Sequence, residues 1–156
     1  MKIGPFFTNL NYLASRLCDA GIDALVIFNR FYRPDIDIDK IEVISSNYLS
    51  SSVEMTQSLR WITILSQKIS CDLSASTGIH DYKGIVKQLL AGAATTQICT
   101  ALFKFGIGYI DTMLNNLKDW MKEHNFETID EFKGMISNNT ENRVEFERVQ
   151  FLKRNE

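Results

Sequence analysis

The sequence predicts an α/β protein in which parallel strands alternate with helices. Four short apolar runs are each followed by a segment whose apolar residues recur at helical spacing, and this alternation is typical of a parallel sheet with right-handed crossovers. Two of the runs end in small residues, at 76–78 and at 100–101. The 156 residues, 45% of them hydrophobic, show no change of composition that would mark a second domain.

The first two strands lie in the N-terminal part of the chain. A short strand is predicted over 1–7, and Thr8 can cap the helix that follows. A buried strand is predicted over 23–28. The next segment, 29–35, is polar and aromatic and is broken by Pro34, so we expect a loop that carries function.

Capping signals locate the second helix. Residues 41–50 are expected to form a small hairpin. Ser51 and Glu54 then have the spacing of a capping box, in which each side chain accepts a hydrogen bond from the other residue's backbone. This box predicts a helix that leads into a strand over 69–75.

The third and fourth units follow the same order. Asp81 stands where a helix N-cap is expected, and Gly92 stands where that helix should end with a positive φ. A short strand is then predicted over 94–99. The apolar residues of 107–123 lie on one helical face, which predicts an amphipathic helix.

The small residues at the last two strand ends predict an anion site. They let backbone N–H groups approach a phosphate closely, helix N-termini add partial positive charge, and in α/β barrels the last two strand ends commonly bind phosphate. The alternative is that Gly78 and Gly92 only punctuate ordinary βα units, because no glycine-rich fingerprint is complete.

Charge and hydropathy argue against two classes of partner. The chain has 17 Lys and Arg residues against 19 Asp and Glu residues, so it lacks the basic excess typical of proteins that bind nucleic acid or anionic membranes. No apolar run approaches the roughly 20 residues of a membrane span, and the N-terminus lacks a signal-peptide pattern. We therefore expect a cytoplasmic protein.

The cysteines and histidines do not have the spacing of a metal site. The three cysteines are odd in number, and two lie in apolar strand patterns, so we expect reduced, mostly buried thiols at Cys18, Cys71 and Cys99. His80 and His124 lie far apart in the sequence. A zinc site is therefore not expected.

Several segments together resemble a known family, the FMN-dependent dihydroorotate dehydrogenases of the cytosolic type and, more closely, the dihydroorotate dehydrogenase-like proteins of bacteria. The resemblance covers nearly the whole chain. The matching segments are KIGPFF at 2–7, DALVIFNRFYRPDIDI at 23–38, STGIH at 76–80, LLAGA at 89–93, TTQICTAL at 95–102 and FETIDEFKG at 126–134. These segments occur in the same order as in the family, and together they make the resemblance more specific than any one of them does alone.

The resemblance implies a fold and an activity. The fold would be the C-terminal half of an FMN-binding (β/α) barrel of the TIM type, about four βα units as strands five to eight, over 1–137, with a polar tail over 138–156. The activity would be the oxidation of dihydroorotate to orotate in pyrimidine biosynthesis, with hydride transfer to FMN. A half-barrel has two unpaired sheet edges, so an N-terminal half-barrel or a second copy is an expected partner.

The resemblance also implies ligand contacts at the ends of the first two strands. Lys2 matches a lysine whose ammonium lies near the pyrimidine edge of the flavin. Asn29 matches an asparagine that hydrogen-bonds the pyrimidine substrate. Arg30 departs from the small hydroxyl residue often found next in the family. Arg33 and His80 match no family role, and we expect both at the surface.

Two pairs of residues match the family's phosphate turns. Thr77 and Gly78 occupy the positions of a Gly-Gly pair, and Cys99 and Thr100 occupy those of a Gly-Thr pair. One glycine of each pair is replaced. Because the family's phosphate contacts are mainly backbone N–H groups, a small side chain is expected to be tolerated where φ stays negative.

The catalytic base of the family is a cysteine or serine on a loop that precedes the matching region. None of the three cysteines of this chain falls at that position, so the sequence assigns no catalytic residue. An alternative is therefore a non-catalytic, self-associating half-barrel from a truncated or split gene that binds at most FMN or phosphate. A further alternative is a different FMN or phosphosugar barrel that shares only the phosphate turns.

Overall fold

The computed structural model describes residues 1–45 and 48–148. The strands are β1 (Lys2–Ile3), β2 (Ala24–Ile27), β3 (Asp35–Asp37), β4 (Glu42–Ile44), β5 (Asp72–Ser76) and β6 (Thr95–Gln97). The helices are α1 (Leu10–Asp19), α2 (Met55–Leu65), α3 (Tyr82–Ala91), α4 (Thr100–Phe105), α5 (Tyr109–Glu123), α6 (Met135–Asn138) and α7 (Thr140–Glu147), with 3₁₀ turns at Ser52–Glu54 and Ile129–Glu131.

Four strands form one parallel sheet in the order β1-β2-β5-β6. Leu25 of β2 lies opposite Leu73 of β5 at the centre of the sheet. Strands β3 and β4 form a separate antiparallel hairpin between β2 and α2. The predicted α/β class and parallel sheet are thus confirmed, and β1 and β6 are the two sheet edges in the described part of the chain.

The core lies between the sheet and the helices that connect its strands. Leu25 and Ile27 of β2 and Ile62 and Leu65 of α2 are fully buried. Helix α3 packs against both α2 and α5, and Phe132, also fully buried, lies against Trp120 of α5 with its ring centroid 5.2 Å away. The predicted amphipathic helix over 107–123 is α5, whose buried side chains are Met113 and Leu117.

The predicted caps are confirmed at the two helices that lead to the site. Glu54 Oε1 accepts a hydrogen bond from the backbone N–H of Ser51 at 2.8 Å, as the capping box requires. Asp81 Oδ1 accepts from Gly84 N–H at 2.9 Å and caps α3. Gly92 ends α3 with φ of 108°.

The structure corrects the cap of the first helix and the place of the hairpin. Asn9, not Thr8, caps α1, and its Oδ1 accepts from Tyr12 N–H at 3.0 Å. The hairpin begins at Asp35 and its second strand ends at Ile44, so it lies closer to β2 than the predicted 41–50. Ser46 and Asn47, which fall in that predicted range, lie outside the described residues.

The prediction of three reduced, mostly buried thiols is wrong. Cys18 and Cys71 form a disulfide with Cα atoms 5.6 Å apart, and Cys99 is exposed. The pairing arises because the C-terminal end of α1 lies beside the segment that enters β5. These cysteines are 53 residues apart in sequence, so only the parallel packing of the first and third units brings them together.

From residue 138 on, the sequence is polar and charged, which predicts a partly helical or frayed tail. Helix α7 (Thr140–Glu147) agrees with that expectation, and it packs against α2. Arg60 of α2 donates to the carbonyl oxygen of Phe146 at 2.8 Å. Residues 149–156 lie outside the described residues.

Candidate functional site

A cavity of about 610 Å³ lies where the carboxyl ends of the parallel strands meet. All six site residues predicted from the sequence line this cavity. They are Lys2, Asn29, Thr77, Gly78, Cys99 and Thr100. The parallel sheet explains their convergence, because parallel strands present their carboxyl ends at one edge and the turns that follow them become neighbours.

Lys2 reaches across the sheet from its edge strand. Its Nζ donates to Ser76 Oγ at 3.1 Å and to Gln97 Oε1 at 3.1 Å. Ser76 is the last residue of β5, and Gln97 is the last residue of β6. Two neutral acceptors thus hold the ammonium at the cavity, and its charge is left for an anionic or electron-rich ligand.

Asn29 is exposed in the loop after β2 and lines two neighbouring cavities. The second cavity has a volume of about 370 Å³ and is lined by the aromatic rings of Phe6 and Phe31, whose centroids are 5.5 Å apart. The Asn29 amide can both donate and accept hydrogen bonds. Its position beside stacked rings suits a planar polar ligand.

The turn after β5 departs from the expected backbone. Thr77 has φ of +81° and Gly78 has φ of +77°, so the condition under which a small side chain is expected to be tolerated here, a negative φ, is not met at Thr77. A positive φ is costly for a β-branched residue. Thr77 Oγ1 donates to the carbonyl oxygen of Phe28 at 3.3 Å, a contact that helps to hold this conformation.

Gly78 is required for a second reason. A Cβ at this position would lie 2.4 Å from the backbone nitrogen of Met55, the first residue of α2. The turn therefore packs directly on the start of α2. The absence of a side chain at 78 serves this packing as well as any close approach of a ligand.

Ser50 connects the predicted phosphate turn at 99–100 to His80, which follows the turn at 77–78. Its N–H donates to Thr100 Oγ1 at 3.1 Å, and its hydroxyl donates to the same atom at 2.9 Å. Ser50 Oγ also lies 3.3 Å from His80 Nε2. His80, expected at the surface, is half-buried because of this contact, whereas Arg33 is exposed as expected.

Arg30 and Glu54 form an ion pair that joins the loop after β2 to the start of α2. Arg30 Nε and Nη2 donate to the two carboxylate oxygens of Glu54 at 2.8 and 3.2 Å. Arg30 also donates to the carbonyl oxygens of Tyr48 and Leu49, each at 3.2 Å. The guanidinium thus fixes the segment that delivers Ser50 to Thr100.

The environment of Glu54 lowers the pKa of its carboxyl group. Burial alone would raise this pKa, but hydrogen bonds from Arg30 and from the Ser51 N–H, together with the charges of Arg30 and Arg33, outweigh burial. Sequence reasoning found the capping role of Glu54 and missed its partner Arg30. A conspicuous signal was present, since Arg30 stands where the family has a small hydroxyl residue.

The described residues contain neither a metal-binding cluster nor a membrane-spanning helix. No cluster of three His, Cys, Asp or Glu side chains that could bind a metal occurs within 1–45 and 48–148. In the same ranges, no helix has the length and hydropathy needed to cross a membrane.

Comparison with known proteins identifies several dihydroorotate dehydrogenases among the relatives. No protein-family model matches the chain. The sequence is 31% identical over 137 residues to the catalytic subunit of dihydroorotate dehydrogenase B (NAD(+)) from Thermoplasma volcanium, and 27% identical over 139 residues to that of Petrotoga mobilis. These matches cover 86% and 87% of this chain but 45% and 46% of those proteins, so the chain spans about half the length of the curated relatives it matches.

A shorter sequence match is to a different dehydrogenase, and a structural match concerns the fold. Over 62 residues, the chain is 40% identical to the chloroplastic dihydropyrimidine dehydrogenase (NADP(+)) of Arabidopsis thaliana, covering 40% of this chain and 15% of that protein. The fold is similar to the crystal structure of a ligand-free DHODH from Eimeria tenella, with a TM-score of 0.70 and 18% identity, over 86% of this chain and 38% of that one.

These comparisons confirm the fold that the resemblance implied, an α/β protein equivalent to half of a TIM-type barrel. The barrel is not closed, because β1 and β6 are separate edges of the four-stranded sheet. Over most of its length the chain is therefore similar to the catalytic subunits of dihydroorotate dehydrogenase B, and the matched region is the C-terminal half of those proteins.

Proposed function

We propose that this chain is the flavin- and pyrimidine-binding half of a dihydroorotate dehydrogenase-type oxidoreductase. A second half would complete the barrel and supply the catalytic base. The single observation that carries this proposal is the convergence of the six residues on one cavity, in a chain whose relatives are dihydroorotate dehydrogenases.

The donor set of the cavity fits FMN. Lys2 brings a positive charge, and Thr100 brings a hydroxyl held by Ser50, so both ends of the cavity offer groups that interact with anions. Gly78 leaves its peptide uncovered by a side chain. Thr77, Gly78, Cys99 and Thr100 would hold the phosphate, and Lys2 would lie at the pyrimidine edge of the ring.

When bound, FMN would supply the acceptor for a hydride from C6 of dihydroorotate. Lys2 would stabilise negative charge that develops on the reduced ring, because its ammonium is already oriented by Ser76 and Gln97. Asn29 would orient the pyrimidine through its amide. Each of these residues acts by binding and orienting ligands and removes no proton from carbon.

The proton from C5 of the substrate needs a base that we place in the partner half. Cys18 and Cys71 are joined in a disulfide on the side of the sheet where the strands enter, and neither lines the cavity. Cys99 lines the cavity but matches a glycine of the phosphate turn rather than the family's base. An N-terminal half-barrel is therefore the partner that an active enzyme requires.

The experiment that tests this function is complementation. The purified chain would be mixed with the N-terminal half of the Thermoplasma volcanium protein, and FMN retention and bleaching by dihydroorotate would be recorded without oxygen. We expect retention and bleaching only for the mixture, and no bleaching when the added half lacks its own cysteine or serine base. Steady turnover by this chain alone, lost in a Cys99→Ala variant, would contradict the assignment of the halves.

A further inference from the structure

The hydroxyl group of Thr100 has both of its acceptor positions occupied. Thr100 Oγ1 accepts from the Ser50 N–H at 3.1 Å and from the Ser50 hydroxyl at 2.9 Å. A hydroxyl oxygen has two lone pairs and one proton. Because Thr100 lines the cavity, its own proton is left to donate to a ligand there.

His80 extends this series of hydrogen bonds beyond Ser50. Ser50 Oγ lies 3.3 Å from His80 Nε2. Since the Ser50 proton is directed to Thr100, the remaining contact is a hydrogen bond when His80 Nε2 carries a proton and donates it. The bonds then run in one direction, from His80 to Ser50 to Thr100, and each strengthens the next.

We propose that His80 and Ser50 are positioning residues that make Thr100 a committed donor to the phosphate of a phosphomonoester ligand. This inference rests on the proposed function, since it concerns the phosphate end of the same cavity. It adds two residues that the family resemblance does not assign and gives the site a preference for FMN over riboflavin, which lacks the phosphate.

A purely structural role predicts something different. If Ser50 and His80 only anchored the segment after the hairpin, their loss would weaken every ligand of the cavity equally. If Ser50 and His80 act through Thr100, their loss weakens the binding of the phosphate group alone. Their loss then has no effect in a protein whose Thr100 hydroxyl is already removed, so the losses of affinity from the two changes are not additive.

The test uses the purified chain and titrates FMN and riboflavin by flavin fluorescence, with inorganic phosphate as a third probe by phosphorus NMR. Thr100→Val is expected to weaken FMN binding about tenfold, the effect of losing a hydrogen bond to a charged group. His80→Phe, which keeps a ring and removes the donor, is expected to weaken it about threefold. Riboflavin binding should not change.

Two further variants serve as rescue and control. His80→Gln restores an N–H donor near the position of Nε2 and should recover most of the FMN affinity. His124→Phe changes the other histidine, which is exposed at the end of α5 and outside the cavity, and should change nothing. Adding His80→Phe to Thr100→Val should cause no further loss of affinity.

The outcomes separate this inference from the proposed function. Equal losses for FMN and riboflavin in His80→Phe, or additive losses with Thr100→Val, would overturn the inference while the proposed flavin site stands. Phosphate binding that depends on His80, in a chain that binds neither flavin, would support the inference and contradict the flavin site. Binding of none of the three probes would overturn both.

Discussion

Lys2 Nζ lies 3.1 Å from Gln97 Oε1, although the two residues belong to the opposite edge strands of the sheet. In a flat sheet, three strand spacings of roughly 4.8 Å would separate these edges, and side chains that stand perpendicular to the sheet would not meet across that distance. Ser76, on β5, one of the two strands between them, accepts a second hydrogen bond from the same ammonium. The contact therefore requires a sheet that is curved, as in half of a barrel, with both side chains on its concave face.

The curved sheet leaves two edges without a strand partner in the described structure, and an exposed aromatic side chain follows each edge strand in the sequence. Phe6 follows β1 and is 76% exposed, and Phe103, after β6, is 72% exposed. Exposed aromatic residues beside open strand edges are characteristic of surfaces that another chain covers.

The first prediction is that the purified chain self-associates when no other half is present. Burial of these edges is worth roughly 25 cal/mol per Å² of apolar surface. Light scattering should give a mass above the 17.9 kDa of one chain, and Phe103→Ser should shift it towards that value. A stable monomer over a wide range of concentrations would contradict the prediction.

The second prediction concerns the backbone of Thr77. Because its φ is +81°, a glycine should fit this position better than an alanine. Both replacements lose the hydrogen bond to Phe28, so that loss cancels in their comparison. Thr77→Gly should be more stable than Thr77→Ala by about 1 kcal/mol in urea unfolding. Equal midpoints would show that the turn relaxes to a negative φ.

The third prediction separates packing from backbone conformation at Gly78. Gly78 and Gly134 have similar φ values, +77° and +76°, but a Cβ at 78 would clash with the Met55 backbone, whereas one at 134 would have its nearest neighbour at 3.4 Å. Gly134→Ala should cost about 1 kcal/mol, and Gly78→Ala should cost about 1–3 kcal/mol more. Equal free energies of unfolding would mean that α2 does not constrain the turn.

These positions indicate what the sequence could and could not predict. Asp81 and Gly92 were assigned correctly because a cap depends on neighbours a few residues away. The six site residues share one cavity because strand order follows from strict alternation of strands and helices. The sign of φ at Thr77 and the contact between Ser50 and His80 depend on segments that are distant in sequence. Local sequence patterns therefore do not predict either feature.

The fourth prediction is a pH dependence of stability that comes from Glu54. Its pKa is lowered in the folded state, so the unfolded state binds more protons as the pH falls through the usual value near 4.5. The stabilisation is thus present above that value and is lost as the pH falls through the lowered folded-state pKa. Glu54→Gln should cost about 1.5–3 kcal/mol at pH 7 and flatten this acid loss.

Thermal unfolding of both proteins between about pH 6 and pH 3 would measure the effect. Glu42→Gln is a suitable control, because Glu42 is exposed on the hairpin and pairs with Lys40 at 3.7 Å. The Glu42→Gln control should lose stability with falling pH in the same way as the unsubstituted protein. An acid loss of the same size in Glu54→Gln would show that another carboxyl group is responsible.

The last prediction divides the roles of Lys2 and Asn29 in the complemented enzyme. Lys2→Ala should slow flavin reduction about 10²-fold or more, because an oriented charge that stabilises the transition state is lost. Asn29→Ala should mainly weaken pyrimidine binding, about tenfold for one lost amide contact. Rapid-mixing reduction of FMN at a series of dihydroorotate concentrations separates the limiting rate from the apparent affinity. Lys40→Ala, on the exposed hairpin, should change neither quantity. A Lys2→Ala variant that altered only the apparent affinity would place the ammonium at the substrate and not at the flavin.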